Sequence, residues 1–166
     1  PTRDENGRLI PRDDYRISSL NCGGEDFAIA CMRSNLKYGK NQKREDVKSH
    51  HYIISFDPRD AADNGLTVDR AQQLGEQFCK EHFPGHQALV CTHPDGHNHS
   101  GNIHVHIVIN SLRIAEVPLL PYMERPADTR EGCKHRCTDA AMEYFKAEVM
   151  EMCHRENLYQ IDLLHG

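Results

Sequence analysis

His93-Pro94-Asp95-Gly96-His97-Asn98-His99-Ser100-Gly101-Asn102-Ile103-His104-Val105-His106-Ile107-Val108-Ile109-Asn110 is the stretch on which the fold turns. From residue 103 onward, apolar and imidazole side chains alternate with a period of two, which is the mark of an extended strand with two unlike faces. Ile103, Val105, Ile107 and Ile109 make one face apolar. His104 and His106 share the other, their Cα atoms roughly 7 Å apart and within reach of one ion. Residues 87–93 read as a second apolar strand, and the Gly- and His-rich connection between the two makes a hairpin. A hairpin is an antiparallel pair, so a chain that interleaves helices with such strands falls in the α+β class and not among doubly wound parallel folds.

Outward from this hairpin, His50-His51-Tyr52-Ile53-Ile54-Ser55-Phe56 is a further strand, closed by Asp57-Pro58. Thr67 opens a helix whose Val68, Ala71, Leu74, Gly75, Phe78 and Cys79 follow helical spacing until Pro84-Gly85. A shorter helix follows Gly23-Gly24, with Phe27, Ala28, Cys31, Met32 and Leu36 as its apolar stripe and Gly39 as its stop. A third begins at Thr138, with Met142, Phe145, Val149, Met152 and Cys153 on one side. Residues 1–18 carry turn signals with little periodicity and read as an extended arm. Pro118, Pro121 and Pro126 hold an irregular connection. At 166 residues, 38% hydrophobic and 27% charged, the whole of 1–166 is expected to form one domain.

The formal charge of −5 predicts no indiscriminate attraction to polyanions, so any such contact needs a local patch. Lys37, Lys40, Lys43, Arg44 and Lys48 form the one dense basic run, which reads either as a solvated linker or as that patch. Seven scattered cysteines, an odd number, point to reduced thiols of a cytosolic protein. Cys133 and Cys137 alone are too few ligands for structural zinc. No apolar run approaches the length of a membrane span.

Two imidazoles on one strand hold a divalent ion poorly, and a site that keeps open positions for substrate uses three protein ligands. His93 can complete the set from the neighbouring strand, where the sheet fixes its backbone; His97 is the alternative, from the connection. Neutral imidazoles leave the ion its full charge, which suits it to polarise an anionic oxygen such as a phosphodiester's. Asp95 stands where it could orient a ligand or accept a proton. Asn110 continues the face of His104 and His106, either in the site or as a cap at the strand's end.

These residues resemble the third motif of the mobilisation relaxases of conjugative plasmids and transposons, the MobA and VirD-like branch of the HUH endonucleases. There a strand ending in His-x-Asp precedes a His-hydrophobic-His strand closed by Asn. Here the counterparts are Thr92-His93-Pro94-Asp95 and Ile103-His104-Val105-His106-Ile107-Val108-Ile109-Asn110-Ser111. Leu20-Asn21-Cys22, Tyr38-Gly39-Lys40 and His51-Tyr52-Ile53-Ile54-Ser55-Phe56 resemble the segments that precede that motif, so the likeness covers roughly residues 16–113. It implies an HUH-type antiparallel sheet of about five strands flanked by helices. It further implies a transesterification on single-stranded origin-of-transfer DNA, in which a tyrosine oxygen attacks the scissile phosphate to leave a 5′-phosphotyrosine and a free 3′-hydroxyl.

The same resemblance implies Mg²⁺ or Mn²⁺ as the ion, although three imidazoles would by ligand chemistry also take Zn²⁺, Ni²⁺ or Co²⁺. It implies DNA contacts from Lys40, Lys43, Arg44, Ser55 and Asn110. The expected partners are an accessory relaxosome protein and a type IV coupling protein or secretion system, met in the bacterial cytoplasm and not in a membrane. Two features depart from the pattern. The connection ahead of His104 is long, so spacing selects His97, seven residues before it, while strand geometry selects His93. No tyrosine holds the nucleophile's place ahead of Asn21-Cys22: Tyr15 is too near and Tyr38 ends a helix. The nucleophile is therefore expected upstream of Pro1, and the chain to be a fragment that binds metal and DNA without cleaving.

Two rival readings remain. A rolling-circle replication initiator shares the HUH site and chemistry. A non-enzymatic metal-binding interaction module would use His97, His99 and the Cys133–Cys137 pair. A histidine-triad hydrolase is excluded because its next same-face histidine is here Val108.

Overall fold

The computed structural model describes residues 2–3, 9–10, 15–94, 102–159 and 162–165. Two short strands, β1 (Thr2–Arg3) and β2 (Leu9–Ile10), pair with each other. The body is a five-stranded antiparallel sheet made of β3 (Arg16–Leu20), β4 (Ser49–Ser55), β5 (His86–His93), β6 (His104–Arg113) and β7 (Asp162–His165), in spatial order β3-β5-β6-β4-β7. Every pairing in it is antiparallel. Four helices accompany it: α1 (Phe27–Tyr38), α2 (Asp60–Asn64), α3 (Val68–His82) and α4 (Asp139–Arg155). The architecture is thus the α+β arrangement with a central antiparallel sheet that the histidine hairpin predicts.

The sheet's two faces are treated differently. Tyr52, Ile54, Val90, Val105, Ile107 and Ile109 are fully buried on one face, in the core they share with Leu74 and Phe78 of α3 and Phe145 and Val149 of α4. α3 forms because Thr67 caps its start, accepting the Arg70 amide at 3.1 Å, and because Ala71, Leu74 and Phe78 recur at helical spacing. Gly75 brings that helix down onto the sheet: a Cβ there would lie 2.5 Å from Val105 Cγ1. Thr138 caps α4 in the same way, through the Ala141 amide.

The opposite face carries α1 near one end, and here the sequence expectation needs correction. Met32 and Leu36 are each 71% exposed, and the helix turns Ala30 and Asn35 inward instead. The reason is polar: Gln87 of β5 donates to the Ala30 carbonyl and the Ser34 hydroxyl, and Asn110 of β6 donates to Asn35 Oδ1 at 3.1 Å. α1 is therefore held by amide hydrogen bonds and not by an apolar stripe. Residues 16–18 also differ from the expected arm, since Arg16 begins edge strand β3, paired with Thr92. Its apolar content is too thin to read as a strand, Ile17 being 54% exposed. Neither β7 nor the one-turn α2 is foreshadowed by periodicity. Among the described residues no helix is long and apolar enough to cross a membrane.

Candidate metal centre

The ligand-bearing positions follow from the ladder. His93 and His104 are directly opposed across β5 and β6, and His106 lies one pleat further on, between Cys91 and Ile53. Opposed residues of an antiparallel pair share a face, so all three imidazoles rise from the side of the sheet away from the core. His93 and His106 face each other with Nε2 atoms 2.6 Å apart and rings nearly parallel. The His93 and His104 rings are 5.8 Å apart at an interplanar angle of 7°. His104 and His106 are 6.4 Å apart.

Hydrogen bonding decides which nitrogen of His104 is available. Its Nδ1 lies 3.0 Å from the Asn102 carbonyl, which can only accept, so Nδ1 carries the proton and Nε2 keeps its lone pair. That Nε2 looks toward Ser55 Oγ at 3.4 Å, and Asn102 in turn donates to the same hydroxyl at 3.2 Å. His106 is held on its far side as well, its Nδ1 lying 2.8 Å from Nε2 of His51 on β4. Burial pushes His51 below the ordinary imidazole range, with the nearby His165 adding to the effect, so it sits there neutral.

Among the described residues no three His, Cys, Asp or Glu side chains are already closed around one point. The donor set nevertheless fits a divalent ion. Three neutral nitrogen donors on one face of the sheet would hold such an ion and leave it its full positive charge. The three ring separations are 4.7, 5.8 and 6.4 Å.

Of the other expected residues, Asp95, His97 and His99 lie outside the described residues. Ser55 stands at the site, half-buried. Lys40, Lys43 and Arg44 are exposed on the α1–β4 connection, which is not a loose linker. Lys48 Nζ donates to the Lys43 carbonyl at 2.8 Å, the Ser111 amide and hydroxyl bind the Lys48 and Val47 carbonyls, and Asn41 reaches Ser111 at 3.0 Å. This basic loop meets β4 at Ser49, six residues and roughly 20 Å from Ser55. Asn110 is only 1% exposed, and its amide is engaged with Asn35, Gln87 and the Leu112 amide. With β6 running on to Arg113, Asn110 is a buried residue within the strand and not a cap at its end. Tyr52 is fully buried with its hydroxyl on His135 at 2.9 Å, so its ring is not open to stack on a base.

The Cys133–Cys137 pair stands elsewhere. Cys137 Sγ is 3.7 Å from His165, whose strand partner Tyr52 faces the core, so this thiol belongs to the other side of the sheet from the three imidazoles. All seven cysteines are free.

Residues 11–118 match the family model described as "Relaxase: MobA/VirD2-like, nuclease domain". The chain belongs to that relaxase family. The matched region contains β3 through β6, hence His51, His93, His104 and His106. Over 96 residues, 57% of its length, the relaxase chain is 35% identical to "Protein rlx" of Staphylococcus aureus, and the aligned part is 25% of that relative. The chain thus spans about a quarter of the length of the curated relative it matches. No solved structure matches it. His51 is the site residue that sequence reasoning overlooked as chemistry: the alternation of 50–56 places it on the face of Ser55, and only the unknown strand order hid its contact with His106.

Proposed function

We propose that this relaxase domain serves to nick single-stranded origin-of-transfer DNA by transesterification, starting conjugative transfer. The observation that carries the proposal is the gathering of His93, His104 and His106 on one face of the sheet, with Nδ1 of His104 at the Asn102 carbonyl and Nδ1 of His106 beside His51. These three residues would hold Mg²⁺ or Mn²⁺. When bound, the ion supplies Lewis-acid stabilisation of charge building on a non-bridging phosphate oxygen. The Asn102 carbonyl keeps His104 in the ligating tautomer, and Ser55 offers a hydroxyl beside it for the phosphate or sugar. Asp95 is assigned an orienting role next to His93.

Lys40, Lys43 and Arg44 would neutralise phosphates further along the bound strand. Beside the start of α1, a groove of about 400 Å³ is lined by Ile17, Phe27 and Leu89, whose apolar surfaces suit an unstacked base, and by the acidic Glu25 and Asp26, which would keep phosphates out of it. The attacking oxygen is a tyrosine's; attack displaces the 3′-oxygen of the broken ester and conserves the phosphodiester energy for rejoining. Transfer would further require an accessory relaxosome protein and a type IV coupling protein, met in the bacterial cytoplasm.

The test uses His104→Ala in the relaxase expressed from its full reading frame, with an oligonucleotide carrying a suicide linkage at the origin of transfer. The wild type should form a covalent adduct with Mn²⁺ and lose it with chelator. The variant should keep its melting temperature and form at least 100-fold less adduct. An adduct that forms equally in the variant would sink the proposal. Mapping the adduct locates the nucleophile, with Tyr15 and Tyr38 as the alternatives inside this chain.

A further inference from the structure

The contact between His51 and His106 goes beyond ligand identity. His51 lies on β4 diagonally across from His106 of β6, since Ile53 is the direct partner of His106 and His51 that of Val108. Diagonal neighbours on one face of an antiparallel pair are within reach of long or aromatic side chains. The two rings are 5.0 Å apart and tilted by 32°, with Nε2 of His51 2.8 Å from Nδ1 of His106. The other nitrogen of His106 is the one that meets His93.

Resting on the metal centre proposed above, we propose that His51 is a positioning residue for it. Its Nε2 accepts the Nδ1 proton of His106 and so fixes His106 with Nε2 deprotonated toward the ion. Three observations support this. The His51 nitrogen is directed at the remote edge of the His106 ring and not at His93 or His104, so it is no fourth ligand. An imidazole ring can flip by a half-turn about its Cβ–Cγ bond, and an acceptor beside Nδ1 adds to the contact with His93 in favouring the ligating orientation. His104 has a matching device in the Asn102 carbonyl, so the same logic is applied twice with different acceptors. Partners of this kind typically change metal affinity 10- to 100-fold.

The test is calorimetric titration of Co²⁺ into the protein, its His51→Phe and His51→Gln variants, and His106→Ala, with the Co²⁺ visible spectrum recorded alongside. Expected are loss of binding in His106→Ala and a 10- to 100-fold weaker affinity in His51→Phe. His51→Gln, whose amide oxygen can accept the same proton, should bind within a few-fold of the wild type, with the wild-type spectrum. Melting temperatures without ion should agree across the His51 variants. Equal Co²⁺ affinity in wild type and His51→Phe overturns the role of His51 while leaving the centre standing. A wild type that takes up no Co²⁺ overturns the centre itself. A fourth-ligand role would show as a changed spectrum in His51→Gln, and also overturns the proposal. Independently of any substitution, nitrogen-15 spectra of the Zn²⁺-loaded wild type should place the His106 proton on Nδ1; a proton on Nε2 contradicts the assignment.

Discussion

Asn110 ties three parts of the chain together through one side chain. It donates to Asn35 of α1 and Gln87 of β5, and its oxygen accepts from the Leu112 amide. Asn110→Ala should therefore destabilise the protein by about 1 to 3 kcal/mol, because it leaves buried amide groups without partners. Urea denaturation measures this, and the salt dependence of DNA binding should stay unchanged. A second residue-level prediction concerns pH. His86 is 1% exposed, and burial, reinforced by Arg113, pushes its imidazole down to about 3. An imidazole depressed in the fold contributes stability that is complete above its unfolded value near 6.5 and is lost as pH falls toward 3. Between pH 7.5 and 5 this one group should remove about 2 kcal/mol. His50, held down to about 4 chiefly by burial and then by His165, acts in the same direction. A melting temperature that is flat across that range would contradict the placement of these rings. His104 and His106 are legible in the sequence because a strand's period of two is local. The burial of Asn110 is not, since Asn35 is 75 residues away from it.

Elements differ in the same respect. α3 and α4 announce themselves by cap and stripe, and β5 and β6 by their apolar runs. β3 and β7 are edge strands that exist through their partners: Leu163 reaches the core because β7 pairs with β4, which nothing in its own four residues foretells. α1 misled for a related reason, its inward face being chosen by amides on the sheet. The contact of α3 with the sheet yields a prediction: Gly75→Ala should cost about 1 to 3 kcal/mol, because the new methyl would press on Val105 and Val90. Equilibrium unfolding should show the loss, and Gly75→Val should be worse. The basic loop gives another. Lys43→Gln with Arg44→Gln should weaken single-strand binding and flatten the slope of log affinity against log salt by up to about 1.4, at roughly 0.7 for each lost phosphate contact. An unchanged slope would reduce the loop to a pinned connection.

Across the whole molecule, one face of the sheet is sealed by α3 and α4 and the other is left to α1 and the imidazoles. Under the proposed function the face left open among the described residues receives the nucleic-acid strand while the sealed face carries the core, so changes to either can be separated by measuring melting and binding together. Truncation after Glu156 should fall on the sealed side. It removes β7 and the Tyr159 amide that reaches the fully buried Asp60 carboxylate at 2.9 Å, and a marked drop in melting temperature should follow. The direct pairing of His93 with His104 has one more consequence. Their alignment is maintained by ladder bonds between neighbouring strands, so it does not depend on covalent continuity through residues 95–101. A relaxase expressed as two pieces divided within that interval should reassemble with its imidazoles in register, and foreign peptide grafted there should be tolerated.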